Sequence, residues 1–303
     1  MAAFVSRALK RYSLIPPPQL PSRITRVAPH DTIIDNEFYH HDQSWHTQED
    51  LATLHRLNSA RIPFFDNTFR QQLDLTPSRK GAFLEIGCGG GIVSVALAKL
   101  GYRMTAIDPA TKALEQARSH ARGHGVADKT VFQEATAYDL SAFPDSSFSG
   151  VVMADVLEHL LDLPTAMQQV RRVLKPGGVL VFDTINRTYR SYIGAIVLAQ
   201  DVFKLVPPNC HDWRLFIKPE ELSFLLQSQG FLTDSSLFRG MAPSVSQDPL
   251  HILSELRAFP QRLPRPPIGD FHEVSSLAIN YMGWAALPLG SESSSEDSEL
   301  QKK

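Results

Sequence analysis

The sequence predicts an α/β protein: a mostly parallel sheet with helices on both faces. Three observations carry this. An apolar strand runs straight into a glycine loop, LEIGCGGG, at residues 84–91. A second strand ends in Asp108, about twenty residues past that loop, where a carboxylate accepts ribose hydroxyls in nucleoside-binding α/β proteins. Strand and helix patterns then alternate to about residue 183, the order of a parallel sheet covered on two sides.

Taken in chain order, residues 1–30 hold Arg7, Lys10, Arg11, Arg23 and Arg26, with serines and no acid before Asp31. That composition predicts a mitochondrial transit peptide, with a plain basic arm as the alternative. Pro16, Pro17, Pro18 and Pro21 mark a linker after the presequence. Residues 31–80 read as an N-terminal helical cap, with a helix over 49–69 broken near Pro63. The domain of 81–290 contains strand 83–86, helix 92–100, strand 103–107, helix 110–122, strands 130–133 and 149–153, helix 163–173 and strand 178–183. Lys-Pro-Gly-Gly at 175–178 is the turn that stops one helix and launches the next strand. An insertion follows at 186–218. The last strands fall at 231–238 and 278–284, around a proline-rich loop at 260–267, and the polar tail 291–303 reads as disordered.

The glycine loop narrows the cofactor. A dinucleotide fingerprint places a third glycine three residues after Gly89, and that position is Ile92. A loop without it, followed by Asp108, resembles the class I S-adenosylmethionine-dependent methyltransferases. In that family the loop passes the methionine part of the cofactor, which has no pyrophosphate to cradle.

A second constellation lies in ADVLEHL, residues 154–160. If a helical turn begins at Asp155, then Asp155, Glu158 and His159 share a face and converge. Two carboxylates and an imidazole hold a divalent cation with positions left open; oxygen-rich ligation favours magnesium or manganese, and the histidine keeps zinc in play. The alternatives are an ordinary helix N-cap at Asp155 and a metal-free substrate-side loop.

ADVLEHL is followed by INRTYRSY at 185–192 and VPPNCHDWRLFIKPEEL at 206–222, and preceded by LHRLNSAR at 54–61. Together these resemble the ubiquinone-biosynthesis O-methyltransferases, over nearly everything from Trp45 to Tyr281. The resemblance implies a Rossmann-like class I methyltransferase with a seven-stranded sheet and a helical insertion near the active site. It implies methyl transfer from S-adenosylmethionine to a ring hydroxyl of a polyprenylated catechol or hydroquinol. Cofactor contacts fall on Arg61, Gly87, Gly89, Asp108 and the backbone at Ala154, and Mg2+ ligands on Asp155, Glu158 and His159. It also implies other coenzyme Q biosynthesis proteins as partners and a peripheral place on the matrix side of the mitochondrial inner membrane. The chain departs from the family in three places. Asp155 stands where glutamate is usual, Ser59 replaces a proline, and Asn209 with Cys210 replaces Gly-Thr.

Methyl transfer needs an aligned and deprotonated acceptor oxygen, and His211, oriented by Asp212 or another carboxylate, is the expected base. A loop-fixing hydrogen bond is the alternative role. The apolar insertion, flanked by Arg187, Arg190 and Lys204, suits either a membrane interface or a lid on the protein's own core. A formal charge of -2 over 303 residues gives no nucleic-acid footprint. Two cysteines make neither a disulfide framework nor a zinc site by spacing. Competing readings are a methyltransferase for a different soluble phenol or small molecule, and a non-catalytic subunit of a biosynthetic complex.

Overall fold

The computed structural model describes residues 52–73, 81–202, 209–245 and 268–289. The expected leader, the loop at 260–267 and the tail at 291–303 lie outside the described residues, as does the N-terminal part of the cap. The described chain is an α/β fold of the expected class. Its helices are α1 (Ala52–Gln72), α2 (Ile92–Lys99), α3 (Thr111–Gly123), α4 (Leu163–Val173) and α5 (Pro219–Ser228). Its strands are β1 (Ala82–Ile86), β2 (Arg103–Asp108), β3 (Thr130–Glu134), β4 (Phe148–Met153), β5 (Leu174–Ile185), β6 (Arg239–Val245), β7 (Ile268–Val274) and β8 (Asn280–Ala286).

The strands form one sheet in the order β3-β2-β1-β4-β5-β8-β6-β7. Pairs from β3 through β5 are parallel, and β8 runs antiparallel between β5 and β6. Among the described residues eight strands are present where seven are expected. The added pairing is the antiparallel β6–β7 pair at the sheet edge. The strand predicted over 231–238 is displaced too: Leu232 makes a single bridge to Ala286. Asp234 then accepts from Ser236 N at 2.7 Å and starts a 3-10 turn, so the strand begins only at Arg239. An Asp-Ser-Ser run offers the backbone that side-chain bond, which competes with the sheet ladder.

Two apolar layers close the sheet. One face packs α4 and α5 through Met167, Val170, Leu222 and Leu226. The other packs α1, α2 and α3 through Phe65, Phe69, Leu97 and Leu114. Pro63 does not end α1. It removes one backbone bond, but the same helix buries Phe65 and Phe69 completely, with Phe69 and Phe83 ring centroids 4.9 Å apart. Packing of that face outweighs the lost bond. The Lys-Pro-Gly-Gly segment is not a free turn; it sits inside β5 as an irregularity between the Phe148–Leu174 and Gly150–Val179 pairings.

Strand order reverses between β1 and β4. In open parallel sheets that reversal leaves a crevice at the carboxyl ends of the strands. The ends of β1, β2, β4 and β5 deliver Gly87, Asp108, Asp155 and Thr184 to it.

Candidate active site

The floor of the crevice is the turn after β1. Gly87 takes φ 72°, and a Cβ there would meet Val156 Cγ2 at 2.5 Å, so both conformation and space require glycine. Gly91, at φ 76°, begins α2 against Ala117 at a would-be Cβ distance of 3.0 Å. Close approach of helix and helix is thus made one residue before Ile92, which is buried with Ala110 and Ala113. Asp108 braces the loop: its Oδ2 accepts from Gly89 N at 2.8 Å and its Oδ1 from Ala110 N at 2.9 Å. Both oxygens are fixed by backbone and retain lone pairs for donors in the cleft.

Behind the floor lies a web of carboxylates around one guanidinium. Arg61 of α1 is 2% exposed and ion-pairs with Asp155, while Asp183 Oδ2 lies 3.4 Å from its Nη1. It donates further to Asn58 Oδ1 at 2.7 Å and Leu54 O at 3.0 Å. Burial works against the Arg61 charge, but Asp155 and Asp183 outweigh it and hold its pKa above the ordinary value. Asp155 has φ 53°, a left-handed backbone uncommon outside glycine, and its N–H donates to Asp183 Oδ1 at 2.6 Å.

That conformation explains a displacement. The helical turn after β4 spans Leu157–His159 and starts beyond Asp155. Asp155 therefore turns to Arg61, while Glu158 and His159 continue to the other side. Glu158 is 1% exposed and accepts from Thr184 Oγ1 at 2.9 Å. Burial, then the charge of Asp155, pushes its carboxyl up to about 8. Burial, then the same charge, pushes Asp183 up to about 7. Glu85, bonded by Ser94, is pushed up to about 8 by burial. Three carboxyl groups, Asp155, Asp183 and Glu85, thus act on one guanidinium, and Glu158 lies beside the first two; burial favours the protonated form of Glu85, Glu158 and Asp183, so this web is short of compensating positive charge.

His211 comes in from the loop at 209–213 and meets His159, with ring centroids 5.3 Å apart. One ligand atom each from Glu158, His159 and His211 lie within 4.8 Å of one another. Burial, then His211, lowers His159 to about 3; burial lowers His211 to about 4 against the pull of Asp155. Both rings are neutral at physiological pH, the form that ligates a metal or accepts a proton. The neighbouring Asp212 accepts from Arg214 N, Nε and Nη2. The contacts of the His211 side are Cys210 Sγ, 3.3 Å from Nδ1, Gln200 Oε1, which accepts from His211 N at 3.1 Å, and the Phe216 ring.

Arg61, Glu85, Asp155, His159, Thr184 and His211 line one cleft of about 730 Å³, with Glu158 and Asp183 buried outside its lining. Gly87, Asp108 and Ala154 form one end, Asp155, His159 and His211 the middle, and Ala195, Ala199, Phe271, Val274 and Ile279 an apolar wall. The insertion contributes a turn, Tyr189–Ser191, and a wide π-helical stretch, Tyr192–Val202. Ile196 and Val197 are buried, whereas Tyr189, Ile193 and Leu198 are exposed. The segment both roofs the cleft and presents apolar side chains outward. Among the described residues no helix is long and apolar enough to cross a membrane.

Every site residue expected from the sequence borders or adjoins this cleft; Asp155 sits on the arginine and His211 among the potential ligands. Asp183 and Thr184 were not expected in the site. A lone acid closing an apolar strand, as in VLVFD at 179–183, was the available signal.

A family model described as Methyltransferase domain matches residues 84–182. The ubiquinone biosynthesis O-methyltransferase of Colwellia psychrerythraea is 35% identical over 184 residues, covering 59% of this chain and 74% of that one. The mitochondrial ubiquinone biosynthesis O-methyltransferase of Homo sapiens is 34% identical over 191 residues, covering 61% of this chain and 52% of that one. The chain thus spans about half the length of that human relative. The crystal structure of the PH0226 protein from Pyrococcus horikoshii shares the fold, with TM-score 0.51 at 16% identity over 84% of this chain and 99% of that chain.

Proposed function

Because this chain belongs to the ubiquinone biosynthesis O-methyltransferase family of class I S-adenosylmethionine-dependent methyltransferases, we propose that its acceptor is a ring hydroxyl of a polyprenylated catechol or hydroquinol. The observation that carries the reading is the single cleft. It joins a nucleoside-type floor to an imidazole–carboxylate group and then to an apolar wall. A soluble phenol needs no such wall, whereas an isoprenoid tail gains about 25 cal/mol for each Å² of apolar surface it buries there.

The chain's residues divide the work. Asp108 accepts from the ribose hydroxyls, and the Gly87–Gly89 backbone and Ala154 border the methionine part. S-adenosylmethionine supplies an electrophilic methyl, which an acceptor oxygen must meet in line. Deprotonation of that oxygen falls to the group at the middle of the cleft, where His211, the base expected from the sequence, stands beside His159 and Glu158. Carboxylate and imidazole donors there fit a divalent cation, with Mg2+ the one implied by resemblance. Such an ion supplies positive charge that lowers the pKa of a nearby phenol. Asp155, Glu158 and His159 are the ligands that the resemblance assigns.

The basic leader supports import into mitochondria, and the outward Tyr189, Ile193 and Leu198 support peripheral contact with the inner membrane from the matrix side, near other coenzyme Q biosynthesis proteins. Incubating the full chain with S-adenosylmethionine and a short-chain demethylubiquinol tests the acceptor. Methylated quinol is expected; retained S-adenosylmethionine binding without methylation, or faster methylation of a tail-less catechol, overturns it.

A further inference from the structure

The three donors that the fold brings together are not the three adjacent in sequence. We infer that this chain holds a divalent transition-metal ion through Glu158, His159 and His211, with Asp155 withheld from it by Arg61. Metal–ligand bonds of about 2.0–2.2 Å place two donors on one ion at most about 4.4 Å apart. The donor atoms of Glu158, His159 and His211 lie within 4.8 Å of one another before any ion draws them in.

Each donor is held by a separate contact. Thr184 Oγ1 donates to Glu158 Oε2. His159 N donates to Val156 O at 2.9 Å, closing the turn that aims its ring. Gln200 Oε1 accepts from His211 N, and the Cys210 sulfur lies on the Nδ1 side of the His211 ring, so Nε2 is the nitrogen that faces away from it. His159 and His211 both line the cleft, so an ion on them meets the acceptor space directly.

Asp155 is committed elsewhere. Its carboxylate pairs with a guanidinium that is 2% exposed, its backbone is left-handed, and its N–H is held by Asp183. Swinging it toward Glu158 would strip a buried cation of a partner. The shorter side chain at 155 also reaches less far than the glutamate usual in the family.

The donor set decides the metal. Mg2+ prefers near-octahedral oxygen ligation and keeps its water, whereas two imidazoles and one carboxylate suit zinc, cobalt, iron or manganese. Two imidazoles and a carboxylate also leave coordination positions open toward the cleft. The inference concerns binding alone and does not depend on which acceptor is methylated; with an ion in place His211 would serve as a ligand rather than as the base, and the ion's charge would favour loss of the acceptor proton.

The test is cobalt binding to the full chain after chelator treatment and dialysis. One equivalent of Co2+ is expected, with the visible absorption of a nitrogen-containing, low-coordinate site, undiminished by millimolar Mg2+. H211A and H159A are expected to weaken it about tenfold or more. D155N, which keeps a hydrogen-bonding group at Arg61, changes it far less. Circular dichroism and S-adenosylmethionine titration of each variant separate lost ligation from lost folding, and E158Q supplies a second ligand variant with the shape preserved. Loss of cobalt in D155N with retention in H211A would overturn the assignment, as would displacement by stoichiometric Mg2+ or no cobalt bound at all. Failure of methyl transfer with cobalt binding intact would instead count against the proposed acceptor.

Discussion

At the floor of the cleft the holding is done by backbone, and in its middle by side-chain charge. Asp108 is held by two backbone amides, and the glycines beside it are fixed by φ and by Val156. The stretch from Leu84 to Ala110 specifies most of that end. The middle draws Arg61, Glu85, Asp155, Glu158, Asp183 and His211 from five segments, and its acids outnumber its cations. A backbone-built site tolerates solvent and pH; a charge-built site depends on each partner and on what binds it.

The sharpest break is Asp108→Ala. It removes two hydrogen bonds to an ionised group, about 1.5–3 kcal/mol each, together with the ribose acceptor. Titration calorimetry is expected to show S-adenosylmethionine affinity down by a hundredfold or more, with the melting temperature lowered as well. Retained affinity would mean that the floor holds no ribose. At the other region, Arg61→Ala leaves Asp155 and Asp183 without their buried cation. The expected loss is about 3–5 kcal/mol, on the order of 10 °C in melting temperature. Arg61→Lys, one point charge for a fork, recovers only part of it.

Gly87→Ala meets Val156 and a positive φ together, so it destabilises by about 1–3 kcal/mol. Val156→Ala in the same chain relieves the clash but not the φ, and a double-mutant cycle reads the two separately. If the double variant is no more stable than Gly87→Ala, the close approach is not what selects glycine.

The smallest effect is a slope. Glu85 and Glu158 ionise in the unfolded chain near pH 4.5 but in the fold only near 8. Between those values the folded state binds more protons, so stability falls as pH rises. Below pH 6.5 the depressed His159 and His211 oppose this, because the unfolded chain then takes up protons that the fold refuses. Between 6.5 and 8 the carboxylates act alone. Metal-free protein is expected to lose several degrees of melting temperature across that window, and Glu85→Gln to flatten the loss.

The same contrast separates what the sequence shows from what it hides. The glycine loop, Asp108 and the alternating core are local signals, and the structure keeps each within a few residues. Asp155 misleads because helical spacing assumes a helical φ, and its φ is 53°. His211 joins His159 across a helix, a strand and part of the insertion, a separation that no periodicity reports. The 3-10 turn at Ser235–Leu237 took the place of a strand because Asp234 offered the backbone a nearer partner.

Strand β8 sits between β5 and β6 although its residues are made after both. During synthesis, then, β5 presents an open row of backbone donors and acceptors along residues 179–185 until the stretch 280–286 leaves the ribosome. That edge is an aggregation hazard for the nascent chain. Tyr281, whose hydroxyl donates to Ile217 O, and the cleft wall at Ile279 arrive with the same strand. Shielding of the edge and completion of the acceptor pocket are therefore one late event, and a chain stopped short of β8 lacks both.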